Sequence, residues 1–172
     1  MRAIRSTKIL SVMFAICLAA VALPAQTVTP VVSFNLVDGW RPFFGSLMPG
    51  PNGTLYGTTS GGGAGLNYGG SVFEIDAGGS LSTVYSFCVQ TNCSDGEFPY
   101  AGLVKARNGS FYGTTGYGGI ASNCPNPTGF GCGTIFEITP AGKLTTLYSF
   151  CRQSGCTDGE YPNAGLAGWP TL

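Results

Sequence analysis

A chain of 172 residues has room for one domain. Its 28 Gly and 11 Pro would indicate disorder if apolar residues were scarce, but these reach 44%, so the composition points to a core crossed by many tight turns. Only 9% of residues are charged and there is no His, which excludes Ser-His-Asp and Cys-His catalysis and His metal ligands.

The chain opens with a separate object. Arg2, Arg5 and Lys8 form a basic region ahead of the 15-residue apolar run Ile9–Leu23, and small residues offer cleavage after Ala22 or Ala25. This reads as a secretory signal peptide over residues 1–25. The run is shorter than the ~20 residues a membrane span needs, and the chain has no second apolar stretch. Removing it takes three of eight basic residues and no acidic ones, leaving 5 − 8 = −3. A mildly acidic protein without a basic run lacks the electrostatic footprint of a nucleic-acid binder.

Beyond the signal the chain repeats itself. "NGTLYGTT" (52–59) returns as "NGSFYGTT" (108–115), "SVFEIDAGGSLSTVYSF" (71–87) as "TIFEITPAGKLTTLYSF" (134–150), and "DGEFPYAGL" (95–103) as "DGEYPNAGL" (158–166). "DGWRPFFGSL" (38–47) is a looser first copy. The period is 53 residues from Ser33 to Ser86 and 63 from Ser86 to Ser149, the increase coming from two Cys-containing insertions. Each unit reads as four strands: in the second copy "AGLVKA", "SFYGTT", "GTIFEI" and "KLTTLYSF", with Asn-Gly as a hairpin signal between the first two. In the fourth strand Leu144, Thr146, Tyr148 and Phe150 are expected on one face, with Leu147 on the other.

A four-stranded meander of about 50 residues with both faces packed describes a β-propeller blade. The expected fold is therefore all-β, with propeller-like antiparallel blades in a repeat region over residues 31–172. Its units run roughly 38–87 and 95–150, with a partial third from 158. Two full units and partial strands at each end are too few to close a ring, which needs at least four blades. The last residues, "AGLAGWPTL", stop where "NG..YGTT" should come next, so the chain reads as a fragment of a longer repeat array, with an open stack or association of copies as alternatives.

The pattern "LYGTT…GG…GSVFEI…G.L.TVYSF…DG..P.AGL" over Ser33–Leu166 resembles the GloVer tandem repeat of bacterial extracytoplasmic proteins, the choice-of-anchor tandem-repeat family. The resemblance implies a secreted or surface repeat protein, often sorted by a C-terminal anchor, with no assigned activity. Residues 1–172 are expected to depart from the pattern in carrying few repeats and no C-terminal anchor.

Six cysteines remain after the signal, in three close pairs: Cys88 with Cys93, Cys124 with Cys132, and Cys151 with Cys156. An even count in an exported chain reads as disulfides, with neighbour pairing the simplest of fifteen connectivities. The sharper alternative is a zinc site from the two C-x4-C pairs, which sit at equivalent positions of different repeats. Carboxylates are the remaining catalytic currency: Asp95 with Glu97, Asp158 with Glu160, and Glu74 and Glu137 inside the third strands. Residues duplicated in every unit suit blade-building better than a single active site, and Asp-Gly is itself a turn signal. Calcium at the Asp-Gly-Glu loops is the milder version of the same idea. No catalytic, cofactor or metal site is expected. The Gly-rich stretches lack the Lys and helix of a phosphate cradle and read as loops.

The primary functional expectation is a non-enzymatic structural or adhesive role outside the cytoplasm, secreted or at the cell surface. A lectin-like module is the alternative, with Trp40, Tyr68, Tyr117 and Tyr161 as candidate ligand-facing aromatics. A carboxylate-based glycoside-processing enzyme comes last. Cell-surface glycans and other repeat units are the candidate partners.

Overall fold

The structure is a computed structural model of the 172-residue chain and describes residues 29–42, 45–65, 68–120, 123–125 and 131–168. Residues 31–172 contain every strand among the described residues. The expected signal peptide lies outside the described residues.

Among the described residues eight strands make two four-stranded sheets: β1 (Met48–Pro49), β2 (Leu55–Thr59), β3 (Ser71–Ile75) and β4 (Leu81–Ser86), then β5 (Val104–Lys105), β6 (Phe111–Thr115), β7 (Thr134–Ile138) and β8 (Leu144–Ser149). Each sheet is an antiparallel meander in chain order, β1-β2-β3-β4 and β5-β6-β7-β8. Among the described residues there is no α-helix, only short 3-10 turns, and no helix long and apolar enough to cross a membrane. The fold is all-β, built from blade-like units that among the described residues close no ring.

The repeated registers explain the repeated letters. Gly57 stands opposite Phe73, and Gly113 opposite Phe136. A Cβ on either glycine would fall 2.4 or 2.5 Å from the tip of the facing ring, so the Gly of "YGTT" lets the Phe of "FEI" lie flat across the sheet. The first Thr after each Gly bonds outward, Thr58 to the Ala101 carbonyl and Thr114 to that of Ala164. The second bonds across its own sheet, Thr59 to Ser71 and Thr115 to Thr134, each at 2.8 Å.

The two sheets stack front to back. Tyr56 and Val72 share one face of the first sheet, and Tyr56 meets Phe111 of the second at 4.4 Å between ring centroids. Phe111, Phe136 and Ile138, fully buried with Val72 and Phe87, share the core with Tyr56 and Leu103. Strand residues that the two repeats hold in common therefore differ in burial. Tyr56 and Val72 are buried, whereas their counterparts Tyr112 and Ile135 are half-exposed on the outward face of the second sheet.

Two sequence expectations need correction. The fourth strand does not alternate cleanly: Ile135 opposes Tyr148 but Phe136 opposes Thr146, so Leu147 is a bulge and is 49% exposed. Neighbours on β7 point to opposite faces, so Thr146 and Tyr148 are carried to opposite faces too. The same bulge falls at Val84 in β4. The two Asn-Gly hairpins also differ. Asn52 and Gly53 both have positive φ (54° and 77°), and Thr54 N–H donates to the Pro51 carbonyl. In the second repeat only Gly109 has positive φ, and the turn closes one residue earlier, from Gly109 N–H to the Ala106 carbonyl. Pro51, with its fixed φ, begins the first turn, where the second repeat has Arg107.

Candidate functional site

The Asp-Gly turns position the chemistry. Gly39 sits over the Thr59–Ser71 hydroxyl pair and Gly96 over the Thr115–Thr134 pair. A Cβ on Gly96 would come 2.6 Å from the Thr115 Oγ1 and 2.9 Å from that of Thr134. No other residue fits there, and the φ of 103° also favours glycine.

The aspartates of the later two turns organise the stapled loops. Asp95, fully buried, accepts the Tyr85 hydroxyl at 2.9 Å and the backbone N–H groups of Val89 and Gln90 at 3.2 Å each. Asp158 accepts the Tyr148 hydroxyl at 2.6 Å and the N–H groups of Arg152 and Gln153 at 3.0 and 3.2 Å. These bonds, with that from Tyr148 foremost, hold the Asp158 carboxyl down at about 2. In the first copy the Asn35 side chain takes over, accepting the N–H groups of Val37 and Asp38. Sequence reasoning misses the tyrosine partners, although Tyr85 and Tyr148 each precede their aspartate by ten residues.

Disulfides join Cys88 to Cys93, Cys124 to Cys132 and Cys151 to Cys156. Each lies within one repeat, so the two C-x4-C pairs do not pool their sulfurs. Glu97 has its carboxyl near the Cys88 and Cys93 sulfurs, and Glu160 near those of Cys132, Cys151 and Cys156. A zinc ion needs thiolates, and these sulfurs are spent in disulfides.

The residue after each Asp-Gly-x turn start is in the left-handed region and precedes a proline: Arg41 (φ 60°), Phe98 (φ 54°) and Tyr161 (φ 51°). Such non-glycine conformations are costly and persist where the surroundings impose them. Phe98 N–H is tied to the Gly69 carbonyl at 2.6 Å, and Tyr161 N–H to that of Cys132 at 2.8 Å. The outcome is an aromatic rim. Phe98 stacks with Tyr100 at 6.4 Å and meets Tyr117 edge-on at 5.9 Å, and Tyr117 packs against Tyr161 at 5.0 Å.

Of the four aromatics singled out from sequence, Tyr117 and Tyr161 thus come together and are half-buried. Trp40 is 44% exposed, with the Arg41 guanidinium 4.1 Å from its ring centroid. Tyr68 is 52% exposed and makes no ring contact with another described residue. Phe98 and Tyr100 belong to the rim and escape the sequence reading; the place of Phe98 in "DGEFPY", equivalent to Tyr161 in "DGEYPN", is the signal that could have found it, whereas Tyr100 aligns with Asn163 and carries no such mark.

Beneath the rim lies Glu97, 3% exposed, its backbone paired both ways with Tyr117. Burial, with Asp95 close by, pushes its carboxyl up to about 7. Burial foremost also raises Tyr100 and Tyr161, each next to a Glu and to Tyr117. The strand carboxylates are engaged locally: Glu74 accepts from Ser82 at 3.0 Å, and Glu137 from Asn108 at 3.4 Å.

A family model described as the Gloeobacter/Verrucomicrobia repeat matches residues 17–170, spanning both sheets and all three Asp-Gly turns. The chain belongs to this repeat family. The GloVer resemblance read from the "YGTT" and "FEI" motifs is the same assignment, and those motifs are the sheet-building residues of the family unit in this chain. No curated protein matches the chain.

Proposed function

We propose that this repeat protein is non-enzymatic and works outside the cytoplasm, secreted or at the cell surface, in a structural or adhesive role. The observation that carries the reading is the duplicated use of the acidic turns. Asp95 and Asp158 spend their carboxylate oxygens on the same tyrosine and backbone partners in successive repeats. Groups used identically in each unit hold the unit together. Three disulfides suit an oxidising compartment, and the apolar run Ile9–Leu23 supplies the route to it. Expression in a bacterial host with an intact secretion pathway tests this. The expected product is extracytoplasmic, begins after Ala22 or Ala25, and resists thiol alkylation until reduced. A cytoplasmic product with alkylatable cysteines would overturn the reading.

The aromatic rim favours one second reading, a glycan-binding module. Phe98, Tyr100, Tyr117 and Tyr161 offer the apolar ring surface on which sugars stack. A glycan-array screen decides: binding lost in Tyr117→Ala supports it, and a blank array removes it. The carboxylate-based glycoside-processing enzyme would be reinstated by hydrolase activity that is lost in Glu137→Gln or in Glu97→Gln.

A further inference from the structure

The second sheet shows how a repeat is covered by the one before it. Val84 of β4 lies beside Gly142, Phe87 packs on Phe136, and Gly96 sits on Thr115 and Thr134. Residues 31–39 cover the first sheet in the same way. Val31 lies beside Gly79, Phe34 packs on Phe73 at 4.8 Å, and Gly39 sits on Thr59 and Ser71. Val31–Phe34 thus occupies the place of a fourth strand, residue for residue equivalent to Val84–Phe87.

What it lacks is a third strand. Phe87 N–H donates to the Gly70 carbonyl and Phe150 N–H to that of Gly133, both at 2.9 Å, in each case to the glycine just before the third strand. Phe34 N–H has no such acceptor, and residues 31–34 make no backbone hydrogen bond with any described residue. Ser86 and Ser149 use their hydroxyls to accept the N–H groups of Ala64 and Ile120. Ser33, their equivalent, is exposed, and Val31 is 77% exposed.

We propose that Val31–Phe34 is a docking strand that takes, antiparallel, the third strand of a further repeat unit outside the two sheets described, the chain turning away at Asn35 and Leu36, whose carbonyls accept from Gly39 and Gly63. The established register sets the pairing: Ser33 opposite the first Ser or Thr and Val32 opposite the following Val or Ile, as Ser86 faces Ser71 and Tyr85 faces Val72. The recognised sequence is of the type Gly-Ser-Val-Phe-Glu-Ile or Gly-Thr-Ile-Phe-Glu-Ile. Neither third strand of this chain, nor of a second copy, is available, because β3 and β7 each have a neighbour on both edges. The occupant is therefore the third strand of another unit of this repeat, one that has no fourth strand of its own. Backbone pairing supplies the affinity in such strand addition, and alternate side-chain positions supply the specificity.

The inference rests on the structural-repeat reading and is tested separately from export. Amide hydrogen exchange is followed on the full chain with a peptide of the sequence Gly69–Asp76, and with the same residues scrambled. The native-order peptide is expected to slow exchange at Val32–Phe34 about tenfold while the scrambled one leaves it unchanged. The effect should disappear with a peptide carrying Pro in place of Phe73, since proline cannot pair in a ladder. No slowing, equal slowing by the scrambled peptide, or slowing at β4 or β8 in place of Val32–Phe34 would overturn the docking strand. Normal export with closed disulfides alongside that result would leave the structural-repeat reading standing.

Discussion

The ring of Phe87, at the end of the first sheet's last strand, packs edge-on against Phe136 of the second sheet with centroids 5.1 Å apart and neither ring exposed. One repeat therefore completes its core with a side chain from the repeat before it. Phe87→Ala is expected to cost about 3–5 kcal/mol, the range for a buried phenyl. Phe150→Ala, at the equivalent but half-exposed position, should cost well under half of that. Urea unfolding midpoints of the two variants check the order.

The Tyr85–Asp95 pair makes a second prediction. Asp95→Ala leaves the half-buried Tyr85 hydroxyl and two backbone N–H groups without their buried acceptor, and about 1–3 kcal/mol is expected to be lost. Asp158→Ala should cost less, because its loop is open to water that can replace the carboxylate. Thermal melts at neutral pH compare them.

Glu97 makes stability fall as pH rises. Its carboxyl is raised from 4.5 to about 7 in the folded chain, so between those values the native state binds more protons than the unfolded state. Stability then declines across that window and levels off above it. Glu97→Gln should flatten the decline and raise the melting temperature by several degrees at pH 8. Asp158 acts oppositely: its carboxyl is held at about 2 against 3.8, so its contribution is complete above about 4 and is lost as pH falls towards 2. Melting temperature against pH, for wild type and both variants, tests each sign.

The staples yield modest effects. Replacing Cys88 and Cys93 together by Ser opens a loop with a sequence separation of 5, and should cost roughly 2 kcal/mol. The Cys124–Cys132 loop, with a separation of 8, should cost slightly more. Melting temperatures of the double-serine variants against the wild type give the comparison.

The strands were legible in the sequence because two copies could be laid over each other. "SFYGTT", "GTIFEI" and "KLTTLYSF" each fall within a residue or two of β6, β7 and β8. The bulges at Val84 and Leu147 were not, since a period-2 pattern carries no mark where one extra residue is inserted. Spacing makes neighbour disulfides the simplest pairing of the cysteines, but it carries no mark of the Tyr–Asp bonds, because they join the fourth strand to a loop ten residues on. The rim was half legible. Tyr117 and Tyr161 stood out as aromatics, whereas Phe98 and Tyr100 join them only because left-handed residues before proline turn the chain there. The burial of Glu97 was illegible, since Glu160, in the same motif, is exposed.

Successive repeats share one core through the Tyr56–Phe111 and Phe87–Phe136 contacts. Native-state hydrogen exchange on the oxidised chain tests it most directly, by comparing amides of β2 and β3 with those of β6 and β7 in wild type and in Phe136→Ala. A shared core predicts that the substitution lowers protection in both sheets by the same amount. Loss confined to β6 and β7, with β2 and β3 unchanged, would contradict it.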